Sequence, residues 1–263
     1  MTPVETVRAA LALSPEAALT ELTQFPPTTD LALLKARALR LLGRHDEALA
    51  AFDEAESLAT DPLQSARTRI GKIDSLGMLG RYDEALSLGE EAISRLEALG
   101  ADGDAARARC NVGSLYWRLD RYDEALARYE AAAATFESQK DMLALAVAAT
   151  NRANALACLG RVEEGLPLHE QARDVYTGRG MEVEAAEVET NIGYLHHISG
   201  RHTAALAALA RARKVFLRKR QCASGSPRRF RSGGSLSGTE PLGGSPALHP
   251  GGSGDIYSPP PAR

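Results

Sequence analysis

Eight residues recur five times along this chain. Leu119-Asp120-Arg121-Tyr122-Asp123-Glu124-Ala125-Leu126 is the central copy. Leu42-Gly43-Arg44-His45-Asp46-Glu47-Ala48-Leu49 and Leu79-Gly80-Arg81-Tyr82-Asp83-Glu84-Ala85-Leu86 precede it. Leu159-Gly160-Arg161-Val162-Glu163-Glu164-Gly165-Leu166 and Ser199-Gly200-Arg201-His202-Thr203-Ala204-Ala205-Leu206 follow. The second positions fall at 43, 80, 120, 160 and 200, giving steps of 37, 40, 40 and 40. Self-similarity at such a period marks a solenoid of stacked supersecondary units, each burying its apolar face against the next.

Each octet reads as a helix end, a tight turn and a helix start. Glycine stands where a helix C-cap needs a left-handed residue. Asp120 is the departure, and Asp tolerates that conformation better than most residues. The acidic pair that follows lies in the first turn of the next helix, opposite the positive end of its dipole. Ala48, Ala85, Ala125 and Ala205 are small where two helices must approach closely. Each unit is therefore a helix hairpin, antiparallel because its turn is short.

The best unit begins near Ala105. It carries Gly113 and Tyr116 on its first helix, then Ala125, Tyr129 and Ala132 on its second. This order of small and large residues resembles the tetratricopeptide repeat. The family's tryptophan near the start of the first helix and its proline after the second are absent. The step also exceeds the family's common 34 residues, and the surplus predicts extended helices. The resemblance covers about residues 29–217 in five units. It implies an all-α, right-handed superhelical solenoid of antiparallel helix hairpins.

The sequence predicts helices at about 30–42 and 45–58, 62–79 and 82–99, 103–119 and 122–138, 141–159 and 162–177, and 181–199 and 202–218. Ahead of them, Thr2-Pro3 and Ser14-Pro15 are N-cap plus N1-proline signals. They open short helices at about 3–12 and 15–24, read together as a degenerate capping repeat over residues 1–28. Five repeats then fill 29–218. From residue 219 the chain turns rich in Gly, Ser, Pro and Arg without helical period, so 219–263 reads as a disordered tail. The last helix has no capping repeat, as expected of a truncated or frame-shifted remnant of a longer protein.

Composition narrows function. The chain is 44% hydrophobic and 5% aromatic, which suits helices packed through small residues. Its net charge of −3 points to neither nucleic acid nor membrane. That figure divides into +5 over residues 218–263 (seven basic, two acidic) and −8 before them. No run approaches the ~20 apolar residues of a membrane span, and residues 1–13 lack the basic start of a secretion signal. Cys110, Cys158 and Cys222 are odd in number and widely spaced. They read as reduced thiols in a cytoplasmic protein. No catalytic set, phosphate loop or metal-ligand spacing is present, so no enzyme activity, cofactor or metal is expected.

Candidate binding residues lie on the first helices, which line the concave face of such a solenoid. Asn111, Asn151 and Asn191 repeat at a step of 40. Asparagine is a poor helix-interior residue, so three in phase need a reason. An amide can both donate to and accept from a peptide backbone, and the resemblance implies that this position touches peptide ligands. The competing role is bonding between neighbouring repeats. Arg107, Ser114, Trp117, Arg118, Asn154 and Tyr194 complete the candidate face. Trp117, the only tryptophan, could serve as a binding anchor or pack on the next unit.

These residues imply a non-catalytic scaffold that binds a peptide or protein in its groove, with self-association through the uncapped last repeat. Two alternatives stand beside it. Asn-x-Gly-x-Leu-Tyr at 111–116 and Asn-x-Gly-Tyr-Leu-His at 191–196 resemble the arrays ahead of bacterial CHAT-type cysteine peptidase domains, which implies a regulatory segment of a truncated peptidase. The other alternative is a peptide-sensing signalling repeat protein.

Overall fold

A computed structural model describes residues 1–223. Twelve α-helices and no strand occur among them: α1 Pro3–Leu13, α2 Pro15–Leu22, α3 Thr29–Leu41, α4 His45–Ser57, α5 Pro62–Met78, α6 Tyr82–Ala98, α7 Asp102–Arg118, α8 Tyr122–Ser138, α9 Met142–Cys158, α10 Val162–Gly178, α11 Glu182–Ile198 and α12 His202–Ala223. The expected starts and stops hold to within about two residues up to α11. The surplus length lies in the helices: α3 and α4 have 13 residues each, α5 to α11 have 17. The last helix departs from expectation. It continues through residue 219 to Ala223, five residues past the expected end at 218. Arg218 and Lys219 there both pair with Glu182 of α11, at 2.8 and 3.2 Å. The remainder of the expected tail lies outside the described residues.

The octet turn is a Schellman motif. The Arg81 N–H donates to the Leu76 carbonyl and the Gly80 N–H to the Gly77 carbonyl, with Gly80 at φ 75°. Asp120 does adopt the left-handed conformation, at φ 58°. The turns between repeats use the same motif, with Gly100, Lys140 and Gly180 at φ 68°, 57° and 70°. From Tyr82 to Ile198 the chain is thus a run of 17-residue helices and three-residue turns. The 40-residue repeat is two 20-residue halves.

The octet's arginine has a partner in each regular copy. Arg44, Arg81, Arg121 and Arg161 hydrogen-bond Glu47, Glu84, Glu124 and Glu164, three residues on. Those bonds hold the Glu47, Glu124 and Glu164 carboxyls below the usual carboxylate range. In the last octet Ala204 replaces the glutamate. Arg201 turns back to Glu163 of the preceding repeat instead, at 3.0 Å.

Every helix packs on its neighbours in sequence, but the two layers differ. The odd-numbered helices α1, α3, α5, α7, α9 and α11 also pack against one another in order, whereas the even-numbered helices stand farther apart and are bridged by long side chains, as where Arg128 of α8 reaches Glu90 of α6 at 2.7 Å. The first helices of the hairpins therefore crowd on the inner, concave side and the second helices splay outside. Five apolar clusters run along the stack, most of them spanning more than one hairpin. Ala48, Ala85 and Ala125 are wholly buried. Gly165, at the same position, lies so close to α9 that an added Cβ would sit 3.0 Å from the Ala153 carbonyl oxygen.

Candidate functional site

The concave side carries a cleft of about 470 Å³ across α3, α5 and α7. Its floor is apolar: Leu33 and Leu41 from α3, Phe52 from α4, Ile70 and Met78 from α5. Gly71 makes room for Phe52, whose ring fills the place a side chain on Gly71 would need. The walls are charged. Arg37 and Arg40 stand on α3, Arg67 and Asp74 on α5, Asp104 and Arg107 on α7.

These charges form a ladder along the inner layer. Arg40 pairs with Asp74 at 3.0 Å, Arg67 with Asp104 at 2.6 Å, and Arg107 with Asp104 at 3.0 Å and Asp141 at 3.2 Å. Two groups are unmatched. Arg37 is exposed and makes no ion pair or hydrogen bond among the described residues. The buried Nε of Arg40 likewise has no acceptor there.

The asparagine row falls elsewhere. Asn111 is half-buried, and its amide donates to the Ile70 carbonyl of the preceding first helix at 2.8 Å. Asn151 and Asn191 are 8% and 5% exposed. Asn111 thus reaches across the seam between repeats, and with Asn151 and Asn191 buried the three do not form an open row. The reason is geometric. A first helix is packed against its own second helix on one flank and against the preceding hairpin on the other. Only a narrow strip remains for the groove.

The other candidates separate by position. Arg107 is exposed on the cleft wall. Ser114 is half-buried and bonds the Cys110 carbonyl and the Tyr129 hydroxyl, both at 3.1 Å. Asn154, 5% exposed, and Tyr194, half-buried, stand at Ser114's position in the next two repeats. The same row runs back through Asp74 to Arg37 in the cleft. Trp117 packs into the cluster of Ala148, Ala155 and Leu156, across the seam to α9. Beside it, burial pushes the Cys158 thiol up, and hydrogen bonds from Trp117 and Tyr122 oppose this. Arg118 is half-buried at the end of α7. Cys110 is buried and pushed up to about 12, which leaves it an unreactive thiol at neutral pH. The cleft residues Arg37, Arg40 and Arg67 lay outside the sequence reading. Their signal was available: Arg67 and Arg107 stand one 40-residue step apart.

A second apolar surface lies at the far end. Leu206, Leu209 and Leu217 of α12 are 69%, 40% and 46% exposed, and Thr190, Ala212, Arg213 and Phe216 complete a shallow slot there. Among the described residues there is no helix long and apolar enough to cross a membrane and no metal-binding cluster.

Family models for the tetratricopeptide repeat match this architecture over residues 29–62 and again over residues 64–138. Those two stretches are tetratricopeptide repeats. The first match has the family's common length of 34 residues, which fits the shorter α3–α4 hairpin. No curated protein sequence matches the chain. Among solved structures, BtubC (BKLC) from P. vanneervenii is similar at TM-score 0.63 and 17% identity, over 91% of this chain and 96% of that one. A Rap protein complexed with Competence and Sporulation Factor gives TM-score 0.68 at 12% identity, over 76% of this chain and 58% of that one. The chain thus spans little more than half of that protein. The Rap conjugation gene regulator of plasmid pLS20, in complex with the Phr* peptide, gives 0.60 at 15% identity, over 85% and 73%. Likeness at these identities is one of fold: a tetratricopeptide-like solenoid.

Proposed function

We propose that this chain is a non-catalytic interaction scaffold that binds a peptide or protein segment along its concave face. The observation that carries the reading is the cleft across α3, α5 and α7, where an apolar floor meets charged walls on three successive inner helices. Clefts of this size, mostly apolar with a few convergent polar groups, are the usual form of a binding site. The two Rap structures support it in kind, since each was solved with a peptide or factor bound. The proposed contacts are Arg37, Arg67 and Arg107 in the cleft, continuing through Ser114 and Tyr194. Asn111, Asn151, Asn154, Asn191 and Trp117 serve stacking in this reading. Of the two alternatives, the peptide-sensing protein shares this groove and draws on the same neighbours. A regulatory segment of a peptidase rests on the two asparagine-containing stretches alone.

Site-specific photo-crosslinking tests the reading. A photoreactive residue replaces Arg107 or Tyr194 on the inner side, or exposed Glu170 on the outer helix α10, in the full chain. Partners captured from the source cell should crosslink from the inner positions and not from Glu170. Capture only through the outer helices would overturn the groove as the binding surface.

A further inference from the structure

We infer that the open face of α12 receives an acidic amphipathic helix of a partner protein, docked as α11 docks on α10. The surface is built on other helices than the concave cleft, so the inference stands independently of the groove reading. Each internal second helix covers the same positions with the first helix that follows it. Leu126, Tyr129 and Phe136 of α8 share an apolar cluster with Ala148 and Leu156 of α9. Leu166 and Tyr176 of α10 share one with Val188 and Ile192 of α11. One 40-residue step on, the same register holds Leu206, Leu209 and Phe216 of α12. Leu206 and Leu209 are exposed there, and Phe216 is half-buried. Leu209 and Phe216, with Thr190, Ala212 and Arg213, bound a slot of about 300 Å³. The end of the stack thus presents a seat whose filled form the two preceding repeats display.

Charge fixes the kind of occupant. Glu189 of α11 reaches Arg173 of α10 at 3.6 Å. Arg213 holds the register position of Arg173 on α12. It is exposed, as is Lys214 beside it, and neither makes an ion pair or hydrogen bond among the described residues. The helix carries six basic residues and no acidic one. Arg211, Arg218 and Lys219 are matched by Glu189 and Glu182 of α11, which leaves Arg213 and Lys214 for an outside carboxylate. A helix that repeats the α11 contact brings large apolar residues at i and i+4, as Val188 and Ile192, and a carboxylate at i+1, as Glu189. Amphipathic helices seated by such spaced anchors are a common recognition mode, and guanidinium groups favour carboxylate partners. A second copy fits worse. Pairing α12 with α12 sets one basic helix against another. The other exposed large apolar residues, among them Leu13, Leu99, Met142 and Ile198, stand singly at helix ends and form no stripe. Residues 224–263 offer no matching stretch either, since no run free of both Gly and Pro exceeds five residues.

The probe is a synthetic 17-residue peptide with the α11 sequence, residues 182–198, stapled into a helix. The full chain should bind one such peptide, more weakly as salt rises from about 50 to 500 mM. Arg213→Glu should weaken it about tenfold, and Glu189→Lys in the peptide should recover most of that loss. The melting temperature of the Arg213→Glu chain should not move, because Arg213 holds no partner within the stack. Recovery in the exchanged pair keeps the test sound if it does move. Arg37→Glu, in the cleft, should leave this peptide unaffected. A chain that does not bind the peptide, or binds it indifferently to Arg213→Glu, would overturn the inference. So would a loss that the exchanged charges do not recover, or one produced by Arg37→Glu, which would assign the peptide to the cleft. A chain whose sedimentation shows a dimer that shuts the peptide out would give the face to a second copy and overturn it too.

Discussion

Lys140 carries its turn in a conformation that six glycines carry elsewhere, at φ 57°. A non-glycine residue there costs roughly 1 kcal/mol. Lys140→Gly should therefore raise the unfolding free energy by about that amount in urea denaturation, without altering the helix content. His169 is the second exceptional residue. It is wholly buried on α10, at the position where other second helices carry Phe52, Tyr129 and Leu209, and neither ring nitrogen has a partner among the described residues. Burial depresses its pKa to about 3, below the ordinary 6.5. The unfolded chain then binds the extra proton between those values, so stability is unaffected above pH 6.5 and falls as pH drops below it. The slope is roughly 1.4 kcal/mol per pH unit. Between about pH 7 and pH 5 the protein should lose about 2 kcal/mol more than His169→Leu does. Denaturation curves of both proteins at the two pH values check this, and equal losses would mean the imidazole is hydrated.

The elements were the most legible level. The octet turn set the helix starts and stops because its chemistry is local: a left-handed cap, then acids in a first turn. The turns at Lys140 and Gly100 escaped notice because they lack the octet's neighbours, although the backbone is the same. Side-chain direction was harder to read. Asn111 and Gly113 point to different flanks of α7, as their spacing requires, yet both flanks are buried. Gly113 faces Tyr129, whose ring lies 2.7 Å from where a Cβ would stand, and Asn111 faces Ile70. Hairpin packing is set by such small-to-large pairs. Where α6 has Gly89, Val112 of α7 fills the space, so glycine and bulk change places between repeats. Ala125 has no slack in this arrangement. Ala125→Leu should cost roughly 1–3 kcal/mol by overpacking, and an unchanged melting curve would contradict the pairing of α7 with α8.

At the scale of the whole molecule, charge sets the order of the stack. Arg69 of α5 lies between Glu56 and Glu91, at 2.9 Å from each. Three repeats on, Glu189 of α11 lies between Arg173 and Arg211, with every sign reversed. Such reversal penalises a shifted stacking in which like charges would meet. The exposed leucines of α12 mark a surface of another kind. Apolar patches of this sort drive association, and replacing Leu206 and Leu217 by Glu should reduce any concentration-dependent sedimentation of the full chain. Persistent association in that variant would place the contact elsewhere.

The central claim is that the inner layer divides its work, with the asparagine seam holding the stack and the arginine cleft holding the ligand. Asn111→Ala and Arg37→Glu separate the two. The first removes the Asn111 amide that the Ile70 carbonyl accepts from in addition to its helical N–H, and should lower stability by roughly 0.5–1.5 kcal/mol, leaving affinity for a groove-bound peptide unchanged at temperatures where the variant is folded. The second should leave the melting temperature unchanged and weaken the peptide about tenfold. Measuring melting temperature and peptide affinity on both variants decides the matter. The opposite pattern, with affinity lost in Asn111→Ala and retained in Arg37→Glu, would contradict the account.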